Sequence, residues 1–521
     1  MSGDLRLNLR LAAPAIVLAS LVLLPYLDRP FTIDDPLYLR AAEHVLADPL
    51  HPGNFEQVWN AGDRQLLSQY WLGGTLPAYV LAPVVALGSR EWVAHLYQWL
   101  FLCAFLVACA SVARRLGCDR RQANTVALLV GSNPIVLAMS ASVMPDIMAA
   151  AFGTLGLDRV LAFREQQRRG AGIAAGALLA AAVLCRANTL VMVLVAALLL
   201  VPSTWKQAAR SMWPLAITAI LVIALLPHSN IGGALATLTG LRNVPRNLVG
   251  FLCFQALAGP LLLYWLLSGG RRFAACAFVL VLAGFVVARQ PSANLAMYAV
   301  PAAYGVCFVA ACALLVRDLR YSMPLIVWLC AGLVALPYVQ MAAKYLLPGI
   351  PAAALLIVLH AARARQSRFP LTAALLVAAG WICGAFIIIG DTALANSQRK
   401  AVDERVAAAI KRGRTVWAGG QWAFLGYAEK AGALALANQP PLPQPGDLIV
   451  VSRLDYYGRL AQLPIATKLI GTHPDSRCTF FVLNRKFSAG FYSTRFGYLP
   501  VAYGCGEVNR YDTYLVLPQR P

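Results

Sequence analysis

The feature that most limits what this chain can become is a series of long apolar runs separated by short, arginine-rich loops. The runs fall roughly at 10–27, 92–113, 123–140, 147–163, 171–185, 188–202, 213–227, 249–267, 273–288, 295–316, 323–340, 345–361 and 371–389. Each approaches the length at which a helix crosses the hydrocarbon of a bilayer, several being short. Only 13% of the residues are charged and 59% are hydrophobic, against about a quarter charged in an ordinary soluble domain. A soluble fold cannot hide that much apolar surface, so lipid must be its solvent. The sequence predicts a polytopic α-helical membrane protein with about 13 transmembrane helices. The first run has no small-residue cleavage site before Asp28 and reads as a retained span.

The loops set the orientation. Basic residues gather at Arg114 to Arg121, Arg164 to Arg169, Lys206 to Arg210, Arg271-Arg272, Arg317 to Arg320 and Arg363 to Arg368. Short loops rich in Lys and Arg stay in the cytoplasm, and the N-terminus goes with them. An odd number of crossings then sends the tail after Gly390 to the other side. This scatter also explains the net charge of +21 without nucleic acid, which needs a basic face on one domain. The six histidines have no metal-ligand spacing. Ten of the twelve cysteines lie in or beside apolar runs, as small core residues do.

Two places test the count. The run 171–202 is twice a span and is split at Cys185-Arg186-Ala187-Asn188, which puts Arg186 at an outer turn. Segment 70–88 is apolar enough to cross, yet crossing would put Arg114 to Arg121 outside. It also carries Gly73-Gly74, Pro77 and Pro83, so it reads as re-entrant or interfacial.

The chain therefore divides into a membrane module, 1–389, and a soluble unit, 390–521. A long first outer loop, 28–91, carries amphipathic helices, one from Leu37 to Ala47. In the tail, Thr415 to Ala418 and Asp447 to Ser452 read as strands, and Arg399 to Lys411 and Gln421 to Ala433 as helices. Alternating strands and helices suggest a small α/β domain. Cys478 and Cys505 are disulfide candidates if that face is oxidising.

Acidic residues near a membrane are costly, so their placement is informative. Asp34 and Asp35 stand at the start of the first-loop helix, and Asp146 stands at the outer start of the fourth run. Each can be an ordinary helix cap or dipole partner. Together, acids on one face can hold or activate a sugar hydroxyl, or bind a divalent metal, although no complete ligand set is visible. Arg186, Arg64, Arg242, Arg246 and Lys344 are outer cations. Such groups anchor on membrane lipids, or cradle the phosphate of a lipid carrier.

The pattern Asp34-Asp35-x-x-Tyr38 resembles the D-E-x-x-Y motif in the first outer loop of the GT-C glycosyltransferases. That superfamily includes the protein O-mannosyltransferases and the lipid A aminoarabinose transferase. Val143-Met144-Pro145-Asp146 resembles the acidic motif of the second loop, and Arg186 stands where some relatives have Lys in a T-K-G turn. Lys344-Tyr345-Leu346-Leu347-Pro348-x-x-Pro351 resembles the R-Y-L-L-P-x-x-P run of a late span. The family's K-P-P-L stretch is replaced by Gln69-Tyr70-Trp71, and Asp replaces Glu at position 35.

The resemblance implies a glycosyltransferase in a bacterial inner membrane, with the N-terminus cytoplasmic and the cavity and tail periplasmic. It would move a sugar from a polyprenyl (undecaprenyl) phosphate donor to a hydroxyl on a lipid, glycan or protein, with inversion. Asp34 or Asp35 would be the general base, with Asp146 assisting. Arg186, Lys344, Tyr345 and Arg64 would hold the donor phosphate; Tyr38, Arg242 and Arg246 would bind substrate. No cofactor is implied beyond the metal that acids can hold. The competing readings are a lipid or glycan transporter or flippase, and a GT-C-like polymerase or ligase. Transporters place their charges near the bilayer midplane, whereas these lie at the outer boundary.

Overall fold

The computed structural model describes residues 3–58, 62–70, 74–201, 205–225, 240–258, 264, 322–456 and 460–518. The runs at 273–288 and 295–316 lie outside the described residues, as do parts of 213–227 and 249–267. The chain begins with α1 (Gly3–Leu23), followed by the first-loop helix α2 (Asp35–Ala47) and a hairpin of β1 (Glu56–Val58) and β2 (Arg64–Leu66). Next come α3 (Leu76–Ala86), α4 (Glu91–Arg115), α5 (Arg120–Gly131), α6 (Pro134–Ser140), α7 (Asp146–Gln166) and α8 (Arg169–Cys185). Then follow α9 (Leu190–Leu200), α10 (Trp205–Leu225), α11 (Val244–Ala258), α12 (Ser322–Leu329), α13 (Ile350–Arg363) and α14 (Phe369–Ala401). Among the described residues four helices are long and apolar enough to cross a membrane, or five if the bent pair α5–α6 counts as one. The protein is a multi-pass helical membrane protein.

Several expectations are met and several are refined. α3 has 11 residues, about 16 Å of helix, which is half the hydrocarbon thickness. Gly74 shows why small residues precede it. A Cβ there would lie 1.5 Å from the Leu184 carbonyl oxygen, so only glycine lets the first loop press against the end of α8. The run 171–202 does break at Arg186, between α8 and α9.

The run read as one span at 123–140 is instead bent by 64° at Ser132-Asn133. Pro134 cannot continue the backbone ladder, and Asn133 caps the second half by accepting the Ile135 N–H at 2.9 Å. α14 fills the bend through Gly380 and Gly384, whose Cβ positions would strike Ser132 and Leu137. The run read at 323–340 is helical only to Ala335. The chain then turns and re-enters helix at Ala343, which sets Tyr338 of the turn against Tyr345.

No break marks the boundary drawn at 389/390. α14 passes through it and continues by a π-turn to Lys411. The C-terminal unit then forms a five-stranded sheet in the order β4-β3-β5-β9-β6. Its strands are β3 (Val416–Gly419), β4 (Leu434–Ala435), β5 (Leu448–Ser452), β6 (Ala466–Phe481) and β9 (Ala502–Leu517). The two-residue strands β7 (Leu483–Asn484) and β8 (Ala489–Gly490) pair apart from it. β3 runs parallel to β4 and β5, with α15 (Trp422–Lys430) crossing from β3 to β4. The two predicted strands and both predicted helices are present. Cys478 and Cys505 face each other across β6 and β9 and form a disulfide.

α15 holds this unit over the first loop. Gly426 leaves no room for a Cβ beside Pro36, and the Tyr427 hydroxyl accepts the Phe31 N–H at 2.7 Å.

Candidate active site

The two adjacent acids have opposite environments. Ile33 has φ 43°, a left-handed conformation that costs a β-branched residue about 1–3 kcal/mol. This kink separates the carboxylates that follow it. Asp35 turns inward and is fully buried. Its oxygens accept the Thr32 N–H at 3.0 Å and the Val143 N–H at 2.8 Å. It thereby ties the first outer loop to the second. Asp34 stands at the N-cap position but makes no side-chain cap bond. Its side chain stays 27% exposed, and Oδ2 lies 3.5 Å from Lys344 Nζ.

Asp146 is not a cap either. It forms an ion pair with Arg186 at 2.6 Å. Arg186 has no acid near it in sequence; its partner is 40 residues away. It is held by the break between α8 and α9. Among the described residues buried Arg186 Nε has no hydrogen-bond partner. The Tyr345 ring faces Tyr338 at 6.0 Å, edge to face. Arg186, Asp146 and Asp34 all act electrostatically on the Tyr345 phenol, and Tyr38 acts on Arg186. Lys344 also touches Met144 Sδ at 3.1 Å and lies 5.9 Å from the centre of the Tyr492 ring. Asp34, Asp146, Arg186, Lys344, Tyr38 and Tyr345 therefore share one site.

The other predicted residues have no ion pair with these groups among the described residues. Arg64 pairs with Glu56 at 3.7 Å, and its backbone N–H binds Gln439 of the C-terminal unit. The short β1–β2 hairpin turns it toward Glu56. Arg242 is exposed. Arg246 binds Asn243 and the Val339 carbonyl, so it lies beside the turn that carries Tyr338. Among the described residues no group of three or more His, Cys, Asp or Glu is arranged to hold a metal ion.

A second buried cluster lies behind Asp35. Arg29 pairs with Asp391 at 2.8 Å, both side chains 1% exposed. The Thr32 hydroxyl donates to the other Asp391 oxygen at 3.0 Å. Tyr492 faces Asp391, Arg29 and Asp35. Sequence reasoning passed over Arg29, Asp391 and Tyr492. The signal for the first two was present: each is a charge at the end of an apolar run, where isolation is costly. Nothing in the sequence marked Tyr492.

Burial pushes Asp35 up to about 7, against Arg29 and the two backbone N–H donors, which pull it down. A raised carboxyl contributes stability that is complete below the unfolded value near 4 and is lost as pH rises through about 7. Wild type should therefore lose stability relative to Asp35→Asn between pH 4 and pH 7. Thermal unfolding of both proteins across that range checks this. A difference that is flat with pH would refute it.

Residues 74–230 match the family model for dolichyl-phosphate-mannose-protein mannosyltransferase. The match takes in Asp146 and Arg186 and leaves out Asp34 and Lys344. The crystal structure of the Archaeoglobus fulgidus oligosaccharyltransferase complex with Zn and sulfate is similar at TM-score 0.51 and 13% identity. That similarity covers 85% of this chain and 68% of that one, and is one of fold. A second is AglB from Archaeoglobus fulgidus, in complex with an inhibitory peptide and a dolichol-phosphate. It gives TM-score 0.49 and 15% identity over 82% of this chain and 64% of that one; the chain thus spans less than two thirds of it. ArnT from Cupriavidus metallidurans bound to undecaprenyl phosphate gives 0.41 and 14%, over 87% and 95%. No curated protein matches by sequence.

Proposed function

We propose that this chain, which resembles the GT-C glycosyltransferases, transfers a sugar from a polyprenyl-phosphate-linked donor to a hydroxyl acceptor. The acceptor is a lipid, glycan or protein on the periplasmic face of a bacterial inner membrane. The observation that carries the reading is the division of labour between the adjacent acids. Asp35 is spent on two backbone N–H groups, while Asp34 stays 27% exposed beside Lys344 in a cluster that also holds Asp146 and Arg186.

In this reading the Asp34 carboxylate takes the proton of the acceptor hydroxyl. The acceptor oxygen attacks the anomeric carbon from the face opposite the phosphate. The bond from that carbon to the phosphate oxygen breaks, and its electron pair leaves with the phosphate. Configuration inverts. Arg186 and Lys344 lie where negative charge then grows, and fixed cations there stabilise the transition state more than the ground state. Asp146 holds Arg186 in place.

The test is to incubate the purified protein with polyprenyl-phosphate sugars and an acceptor extract, and to measure release of free polyprenyl phosphate. Mass spectrometry of glycolipids and surface glycans from a deletion strain identifies the product. No release from any donor, together with unchanged envelope glycans, would sink the proposal.

A further inference from the structure

β6 and β9 pair along their full length up to Phe481 and Ala502, just beyond the Cys478–Cys505 disulfide. The chain leaves this ladder at Val482 and returns at Val501. Between those points Asn484 and Phe487 keep to the ladder, at Glu507 and at Gly504 and Gly506, and the stretch around Phe491 to Thr494 leaves it. This stretch crosses to the helical module and docks on the turn that leads into Lys344. The Phe491 carbonyl accepts the Ala343 N–H at 2.7 Å, and the Thr494 N–H donates to the Met341 carbonyl at 2.9 Å. The Thr494 hydroxyl accepts the Met341 N–H at 3.1 Å and reaches Asn247 at 3.3 Å. The Ser493 hydroxyl donates to Gln340 at 2.6 Å. α11 closes on the same point: a Cβ at Gly250 would lie 2.3 Å from Thr494 Cγ2. Hydrogen bonds of Phe491, Ser493 and Thr494 fix this stretch, and Tyr492 within it is the ring beside Lys344.

Arg495 follows directly. It is exposed, and makes no ion pair among the described residues. Its charge acts on the Tyr338 phenol, as do those of Arg186 and Asp34. Arg186 and Lys344 each face an acid, Asp146 and Asp34. Among the described residues Arg495 is a cation at this mouth with no paired acid.

We infer that residues 482–501 form a wall of the site brought there by the C-terminal unit, and that Arg495 on it contacts the phosphate of the lipid carrier. The inference rests on the function proposed above. A sugar-phosphate diester carries one negative charge. When its bond to the anomeric carbon breaks, the departing phosphate carries a second. Arg186 and Lys344 are already partly neutralised by their acids, so the added charge calls for a further donor, and a charge-assisted bond from Arg495 supplies it. The contact strengthens as the phosphate leaves, so its loss should lower kcat more than it raises KM for the donor.

The experiment is equilibrium binding of a polyprenyl phosphate to the purified full chain in lipid nanodiscs, with uncharged polyprenol and inorganic phosphate as separate probes. Arg495→Ala should weaken polyprenyl phosphate binding by about tenfold or more, and Arg495→Lys should restore much of it. Polyprenol binding should not change. Inorganic phosphate should compete only weakly, because the lipid brings the phosphate to the site. Arg495 is exposed, so both variants should unfold at the wild-type temperature. If Arg495→Ala binds as wild type does while Arg186→Ala does not, the inference falls and the proposed function stands. If wild type binds polyprenyl phosphate no better than polyprenol, both fall.

Discussion

Asp34→Asn is expected to lower the rate of sugar transfer by about 10²–10⁴-fold, the usual worth of a general base, with a folded protein and little change in KM for the donor. The substitution keeps the shape of the side chain and removes its ability to take a proton. Asp34 makes no side-chain cap bond, and its contact with Lys344 is long, at 3.5 Å, with Asp34 27% exposed, so the loss of stability should be modest beside that of Asp35→Asn. Asp35→Asn should behave in the opposite way. Both Asp35 oxygens accept backbone N–H groups in a fully buried place, and an amide has only one acceptor oxygen. One N–H is left unsatisfied, at a cost of about 1–3 kcal/mol. The pair of variants thus separates chemistry from architecture. A well-folded Asp34→Asn that transfers sugar at the wild-type rate, beside a stable and inactive Asp35→Asn, would reverse the assignment.

Breaking the Arg29–Asp391 pair should have the largest effect on stability. Both side chains are 1% exposed at a separation of 2.8 Å. Removing either partner leaves a charge buried without its counter-charge, which costs about 3–5 kcal/mol. Removing both together, as in Arg29→Met with Asp391→Leu, should cost much less than the sum, since replacing a buried pair by apolar groups is often nearly neutral. The double-mutant cycle by thermal or denaturant unfolding in detergent gives the coupling directly; an additive cycle would show that the pair holds nothing. The double variant should still lose activity. Asp391 also receives the Thr32 hydroxyl, and Thr32 donates to Asp35, so the loop that aims Asp34 loses its anchor on α14.

How much of this was legible depends on the range of the interaction. The apolar runs, the break at Arg186, the first-loop helix and the strands of the tail are local matters of hydropathy, turn residues and periodicity, and they were readable. So was the grouping of Asp34, Asp146, Arg186 and Lys344, through motif order and the expectation that they share a face. The bend at Asn133-Pro134 was missed because its apolar run is continuous, and only packing against Gly380 and Gly384 of α14 shows what fills it. The pairing of Arg64 with Glu56 was not readable, because the short β-hairpin that brings them together is weakly marked in sequence.

The opening apolar runs and basic loops, by themselves, determined that this chain lives in a bilayer, because no arrangement of a soluble chain could bury them. They also placed two adjacent acids at the head of one outer helix, and could say no more about which does the chemistry. Tertiary structure told the two apart, because the difference between Asp34 and Asp35 lies in partners far along the chain: Val143 for Asp35, Lys344 for Asp34. Neighbours in sequence share a local propensity, whereas burial and charge pairing depend on what the fold brings against each of them.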